Sequence, residues 1–234
     1  MIAFDAYNAP RIIYGEGVSK NVSALLKSLG VKTVMAVYDE GIKKVGIADS
    51  VLDPIREAGF VVEEFGGVTA DPPVEMIEDA ARIADEKNVD IYIAIGGGGV
   101  IDTTKCMAVM HTNPGKLLDY VLGVGKPIPN ACPRVIAIPT TSGTGSEVTA
   151  LSIVTDTETK RKVCIKDVVK MCPYAAYLDP DLLTGLPKGL TASTGMDALS
   201  HAVEAYLVGR HNEYADMFCE NGIRRVIKWL PVAV

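Results

Sequence analysis

Ile91-Tyr92-Ile93-Ala94-Ile95-Gly96-Gly97-Gly98-Gly99-Val100 is the stretch on which the fold turns. Its first five residues are apolar without alternation, as in a strand covered on both faces of a parallel sheet. Four glycines end the run, and a helical pattern follows from Val100 to about His111. Strand, glycine loop and helix in that order suit phosphate binding. Without Cβ atoms the backbone N–H groups can approach an anion, and the helix N-terminus adds partial positive charge. A tight βα turn is the plainer explanation, but four consecutive glycines cost more conformational entropy than a turn requires. The loop is not the GxGxxG fingerprint, because Ile101 stands at the third glycine position, and it follows the third strand of the series.

Working outward, the same alternation runs from Thr33 to Leu178. Strands are expected at 33–37, 60–65, 135–138 and 174–178, and helices at 47–58, ended by Gly59, and at 73–87. The pattern changes at Leu186-Pro187-Lys188-Gly189. Beyond it only helical periodicity is found, from Ala192 to about Val208 and from Glu213 to Trp229, with a break at Pro231. Ala215, Phe218, Cys219, Ile223, Val226 and Ile227 give the last helix a face that needs a partner, which leaves homo-oligomer formation open. The expected class is α/β: a parallel-sheet domain at 1–186, then the beginning of an all-helical domain at 187–234. Two helices alone cannot enclose a core.

The 234 residues are 48% hydrophobic and 22% charged, a mix able to bury a core. A net charge of −6 gives no footprint for nucleic acid or an anionic membrane, and no apolar run reaches the length of a membrane span. The first ten residues lack the basic and apolar regions of a secretory signal, so a cytoplasmic location is expected. Five cysteines (Cys106, Cys132, Cys164, Cys172 and Cys219) form no CxxC pair and are expected to be reduced and mostly buried.

Asp39 lies just past the strand ending at Val37, where open parallel sheets bind ligands. A carboxylate there accepts from the ribose hydroxyls of NAD and repels the 2′-phosphate of NADP; taken alone, Asp39 is equally a solvated loop residue. After the strand at 135–138 and Pro139, Thr140-Thr141-Ser142-Gly143-Thr144-Gly145-Ser146-Glu147-Val148-Thr149 crowds hydroxyls and glycines into one loop. Such a loop can bond phosphate or carboxamide groups, or simply cap a short helix. Asp197 and His201 stand four apart, on one helix face, where both reach one metal ion; an intrahelical hydrogen bond is the commoner reason for that spacing. The other two histidines, His111 and His211, read as surface residues, Glu204 as a helix-surface or packing residue, and Asp102 with Lys105 as an i, i+3 pair.

Three blocks carry a resemblance. They are Gly96 through Lys105, Pro139 through Thr149, and Gly195-Met196-Asp197-Ala198-Leu199-Ser200-His201-Ala202-Val203-Glu204-Ala205-Tyr206. In order and spacing they resemble the iron-containing (group III) alcohol dehydrogenase family, from about Pro10 onward. The resemblance implies an N-terminal α/β domain binding NAD, with NADP the lesser choice, and a helical domain holding Fe²⁺, with Zn²⁺ the alternative. It implies hydride transfer between the nicotinamide and a small alcohol or aldehyde. By position, Asp39 meets the adenosine ribose and Asp71 lies near the cofactor, where the family often has Asn. Gly97, Gly98 and Gly99 cradle the pyrophosphate, and Thr140, Thr141, Thr144 and Thr149 run along the cofactor. Lys162 and Leu182 resemble further cofactor contacts, and Asp197 and His201 the first two metal ligands. Gly99 departs from the family's usual serine. The family's remaining two ligands are histidines well downstream, beyond this sequence, so it resembles a member cut within the helical domain. Two rival readings follow: a cofactor-binding fragment without catalysis, and a glycerol dehydrogenase-like enzyme using zinc.

Overall fold

The computed structural model describes residues 10–209 and 212–234. Its chain order begins with β1 (Arg11–Tyr14), α1 (Val22–Leu29), β2 (Thr33–Val37), α2 (Glu40–Lys44), α3 (Ile47–Glu57), β3 (Val61–Phe65) and α4 (Val74–Glu86). Then come β4 (Ile91–Gly96), α5 (Gly98–Thr112), β5 (Arg134–Pro139), β6 (Leu151–Asp156), β7 (Arg161–Lys166), β8 (Ala175–Leu178), α6 (Lys188–Leu207) and α7 (Glu213–Ala233). Contacts divide the chain into two units. One comprises Ser146–Leu182 and described residues 10–140, the other Thr141–Gly145 and Leu183–Val234.

In the first unit six strands pair in parallel, in the order β1-β8-β5-β4-β2-β3. Every residue of β4 is buried, as the unbroken apolar run at 91–95 requires. Each fully buried Ile or Leu of this core contributes about 1.5–3 kcal/mol by leaving water. Helix α3 buries one stripe, Ala48, Val51, Leu52 and Ile55, at helical spacing, whereas α5 is buried without a break from Val100 to Val109. The winding reverses between β2 and β4, since β3 lies outside β2 and β4 returns to its other side. Beyond the C-terminal ends of such neighbours an open sheet forms its ligand crevice. Asp39 follows β2, and Gly97 follows β4.

Several expectations need correction. β1 and α1 precede the alternation expected to begin at Thr33; α1 ends on Gly30, left-handed at φ 69°. An antiparallel hairpin, β6–β7, was not expected. It turns on Lys160, left-handed at φ 56°, without the Asn-Gly or Asp-Gly pair that advertises a hairpin. Helix α5 starts at Gly98, so Gly98 and Gly99 form its first turn and not a loop before it. His111 is not a surface residue. Its side chain is 12% exposed, and Nδ1 lies 2.8 Å from the buried Tyr92 hydroxyl. Burial lowers its pKa below the ordinary 6.5, against an opposing pull from Asp85. His211 lies outside the described residues. All five cysteines are free, but only Cys106 and Cys219 are buried, and Cys132, Cys164 and Cys172 are partly exposed.

In the second unit α6 and α7 pack on each other through small residues. A Cβ at Gly195 would strike the Leu230 side chain, and one at Gly222 would touch the Ala202 methyl at 3.6 Å. This brings Ala215, Cys219, Ile223 and Val226 at least partly under cover, while Phe218 and Ile227, expected on the same face, stay exposed. Helix α7 runs through Pro231 to Ala233. In the last turn the ring removes one hydrogen bond, and Val234 N–H still donates to the Leu230 carbonyl at 3.1 Å. No helix among the described residues is long and apolar enough to cross a membrane.

Candidate nucleotide and metal-donor sites

At the end of β2, Asp39 caps α2, its Oδ1 accepting from Ile42 N–H at 3.1 Å. Gly41 allows this closeness, for a Cβ there would lie 2.9 Å from that oxygen. Beside it Tyr38 is buried, and its hydroxyl donates to Glu64. Burial first, then Glu64, pushes the Tyr38 pKa up to about 12. Burial alone would raise the Glu64 carboxyl, but Tyr38, Arg56 and Lys43 outweigh it and hold it below its ordinary value. Lys43 also pairs with Asp49 at 2.6 Å, and Arg56 with Asp53 at 2.7 Å. The cations of this corner are therefore committed to carboxylates.

At the end of β4, Gly97 is extended, with φ −77° and ψ −174°, and its carbonyl accepts from Val100 and Ile101 N–H, both at 3.1 Å. The N–H groups of Gly98 and Gly99 precede these first bonds of the helix, so they are the helix's own unpaired donors. The glycines here serve close approach rather than left-handed backbone. A Cβ at Gly96 would lie 2.6 Å from Val100 Cγ2, and one at Gly99 would lie 3.3 Å from the Ala70 carbonyl oxygen. This packing holds the turn against Val100 and Ala70, and the unpaired N–H groups at the helix N-terminus suit an anion such as a dinucleotide's phosphate. Thr140, buried after β5, donates its N–H to the Gly96 carbonyl at 3.1 Å.

Past Gly145 the hydroxyl-rich segment forms a short 3₁₀ turn, Ser146–Val148. Its fastening is Lys105. That side chain is wholly buried, pairs with Asp102 at 3.1 Å, and donates to the carbonyls of Ser146 at 3.1 Å, Thr149 at 3.4 Å and Leu151. Asp102 in turn accepts from Ser146 Oγ and from Ile153 N–H at 2.9 Å. Glu147 has its carboxyl pKa raised by burial. Asp71 and Lys162 form an exposed ion pair at 2.9 Å, and next to it Thr155 N–H donates to the Pro72 carbonyl at 3.0 Å. Leu182 is buried in the 3₁₀ turn Pro180–Leu183, behind Asp179, which accepts from Ser19 Oγ at 2.5 Å and Gly17 N–H at 2.9 Å.

In the second unit, Gly143 is left-handed at φ +107°, and a Cβ there would run into the Thr194 carbonyl. His201 Nδ1 lies 3.2 Å from the Gly143 carbonyl oxygen, and Nε2 lies 3.8 Å from Asp197 Oδ1. A protonated Nδ1 bonded to that carbonyl leaves Nε2 with its lone pair beside the carboxylate. The side chains of His201 and Asp197 are 55% and 44% exposed.

The sequence matches the profile described as "Iron-containing alcohol dehydrogenase" over residues 9–180. It matches "Fe-containing alcohol dehydrogenase family, C-terminal" over residues 191–234. The chain belongs to the iron-containing alcohol dehydrogenase family. Among its relatives, an NAD-dependent methanol dehydrogenase of Bacillus methanolicus is 37% identical over 227 residues, 96% of this chain and 58% of that one. An NADPH-dependent butanol dehydrogenase of Clostridium saccharobutylicum is 37% identical over 228 residues, 94% of this chain and 56% of that one. Sulfoacetaldehyde reductase from Bifidobacterium kashiwanohense, solved in complex with NAD⁺, superposes with TM-score 0.93 at 30% identity, covering 100% of this chain and 61% of that one. The chain thus spans under two thirds of the length of these family members.

Within this family the expected metal is a divalent ion, and here the donor count decides the fit. Among the described residues no group of three or more His, Cys, Asp and Glu side chains could hold an ion. Asp197 and His201 supply two donors where protein sites normally use three or four. They fit a partial site only. Asp102 and Lys105 were legible as an i, i+3 pair, but their long-range acceptors between residues 146 and 153 leave no mark in local spacing.

Proposed function

We propose that this chain carries the dinucleotide site of an oxidoreductase that moves a hydride between NAD and a small alcohol or aldehyde. Residues 1–186 bind the cofactor, and 187–234 begin a helical domain in which Asp197 and His201 are donors to Fe²⁺, or alternatively Zn²⁺. The observation that carries the reading is the pairing of Asp39 and the α5 N-terminus at the two strands flanking the reversal of the sheet. A bound nicotinamide dinucleotide supplies the hydride acceptor or donor. The chain's own groups bind and orient it. Asp39 accepts from ribose hydroxyls and repels a 2′-phosphate, while Lys43 and Arg56, already paired, offer that phosphate no free cation. Gly97, Gly98 and Gly99 present backbone donors to the diphosphate. Thr140, Thr141, Thr144 and Thr149 line the rest of the cofactor, with Asp71, Lys162 and Leu182 at its margin.

Isothermal titration of the chain with NAD⁺ and NADP⁺ tests this. NAD⁺ is expected to bind at least about tenfold tighter, about 1.4 kcal/mol. Equal affinities, or none for either, overturn the reading. The two-donor count favours a second reading, in which these residues bind the dinucleotide without turnover. Assays with a small primary alcohol, with and without added Fe²⁺ or Zn²⁺, separate the two. Turnover at ordinary enzyme rates excludes the second.

A further inference from the structure

Lys105 is the most buried cation of the described residues, and the nucleotide site as drawn above does not use it. A lysine in that position must be paired and hydrogen-bonded, or it would be neutral or absent. Here its ammonium has three protons and meets four oxygens: Asp102 Oδ1 at 3.1 Å and the carbonyls of Ser146, Thr149 and Leu151. Three of the four belong to one segment, which is irregular apart from its short 3₁₀ turn and the start of β6. The other member of the pair reaches the same segment from the same helix face, through Ser146 Oγ and Ile153 N–H. Two charges at i, i+3 on α5 thus gather residues 146–153 onto the helix that begins at Gly98.

We infer that Lys105, with Asp102, is a positioning residue for the nucleotide site, an inference that rests on the cofactor reading above. At 1% exposure Lys105 touches no ligand. It acts through backbone carbonyls, fixing the segment that carries Thr149 relative to the glycine turn. Cofactor contacts on that segment depend on it. Those of Asp39 and of Gly97 to Gly99 do not, because the first caps α2 at the end of β2 and the others are set by β4 and the start of α5.

The experiment exploits that split. Isothermal titration of the 234-residue chain and of Lys105→Met uses NAD⁺ and ADP, at a temperature where circular dichroism shows both proteins folded. ADP engages only the adenosine and diphosphate groups. The variant is expected to bind NAD⁺ about tenfold more weakly, as for lost bonds to a charged donor, and ADP within about twofold of the parent. Unchanged NAD⁺ affinity, or an equal loss for both ligands, overturns the proposal. If Lys105→Met does not fold, the double variant Asp102→Asn/Lys105→Gln, which leaves no charge buried alone, faces the same two criteria. A parent chain that binds neither ligand overturns the cofactor reading itself, and does so before any variant is compared.

Discussion

Helix α5 buries ten consecutive residues, Val100 to Val109, whereas α6, at 20 residues against 15, buries only Gly195. Both carry residues assigned to chemistry: Gly98 and Gly99 at the start of α5, Asp197 and His201 midway along α6. The difference lies in how far each is held. The start of α5 is fixed by its junction with β4 and by the burial of the residues that follow it, so its backbone donors are positioned before any ligand arrives. Asp197 and His201 stand on a half-exposed face, with the Gly143 carbonyl as the partner of the imidazole. A dinucleotide site can be built from one well-covered unit of backbone donors; a metal site needs side-chain donors from several directions, and among the described residues no group of three or more such donors is found.

The contrast is broken or sharpened by variants in each region. The largest effect is expected at the sheet: Ile93→Ala, at a residue with no exposure in β4, should lower stability to urea by about 2–5 kcal/mol. A fall below that range would mean the sheet is less closely packed than described. Gly96→Ala comes next, because its Cβ would lie 2.6 Å from Val100 Cγ2, and overpacking of this kind costs about 1–3 kcal/mol. NAD⁺ affinity should fall with it, since the glycine turn must shift.

A smaller effect depends on pH. His111 has a folded pKa below the ordinary 6.5, so between the two values the unfolded chain binds more protons than the folded one. Stability should therefore be complete above pH 6.5 and decline as pH falls through that value towards the folded pKa. Urea midpoints measured across that window should lose this component in His111→Gln. A midpoint that rises on acidification would reverse the assignment. The smallest effect is expected on α7, where Ile227 is 62% exposed: Ile227→Ala should change stability by under about 0.5 kcal/mol. A loss near that of Ile93→Ala would show the exposed face to be covered in solution, by another copy of the chain for instance.

What was legible in the sequence follows the same division. The four inner parallel strands, β2, β4, β5 and β8, were readable because burial on both faces leaves nearly unbroken apolar runs, as at 91–95, whereas the edge strand β3 carries Glu63 and Glu64. The hairpin was not, since Leu151–Asp156 and Arg161–Lys166 mix hydroxyl and charged residues with apolar ones and turn without glycine. Asp39 and the glycines could be found because chain order alone puts them at strand ends. His111 was misjudged because its cover, the Tyr92 hydroxyl, comes from a strand 19 residues away. Lys105 shows the same limit more sharply: its i, i+3 partner is local, but the carbonyls it holds lie 41 to 46 residues along the chain.

Amide hydrogen exchange read by mass spectrometry, with and without NAD⁺, bears most directly on the claim that the cofactor lies across the ends of β2 and β4. Protection on binding is predicted in peptides covering 38–42, 96–101 and 140–149, with α7 unchanged. Protection confined to α6 and α7, or none in the glycine turn at saturating NAD⁺, would contradict it.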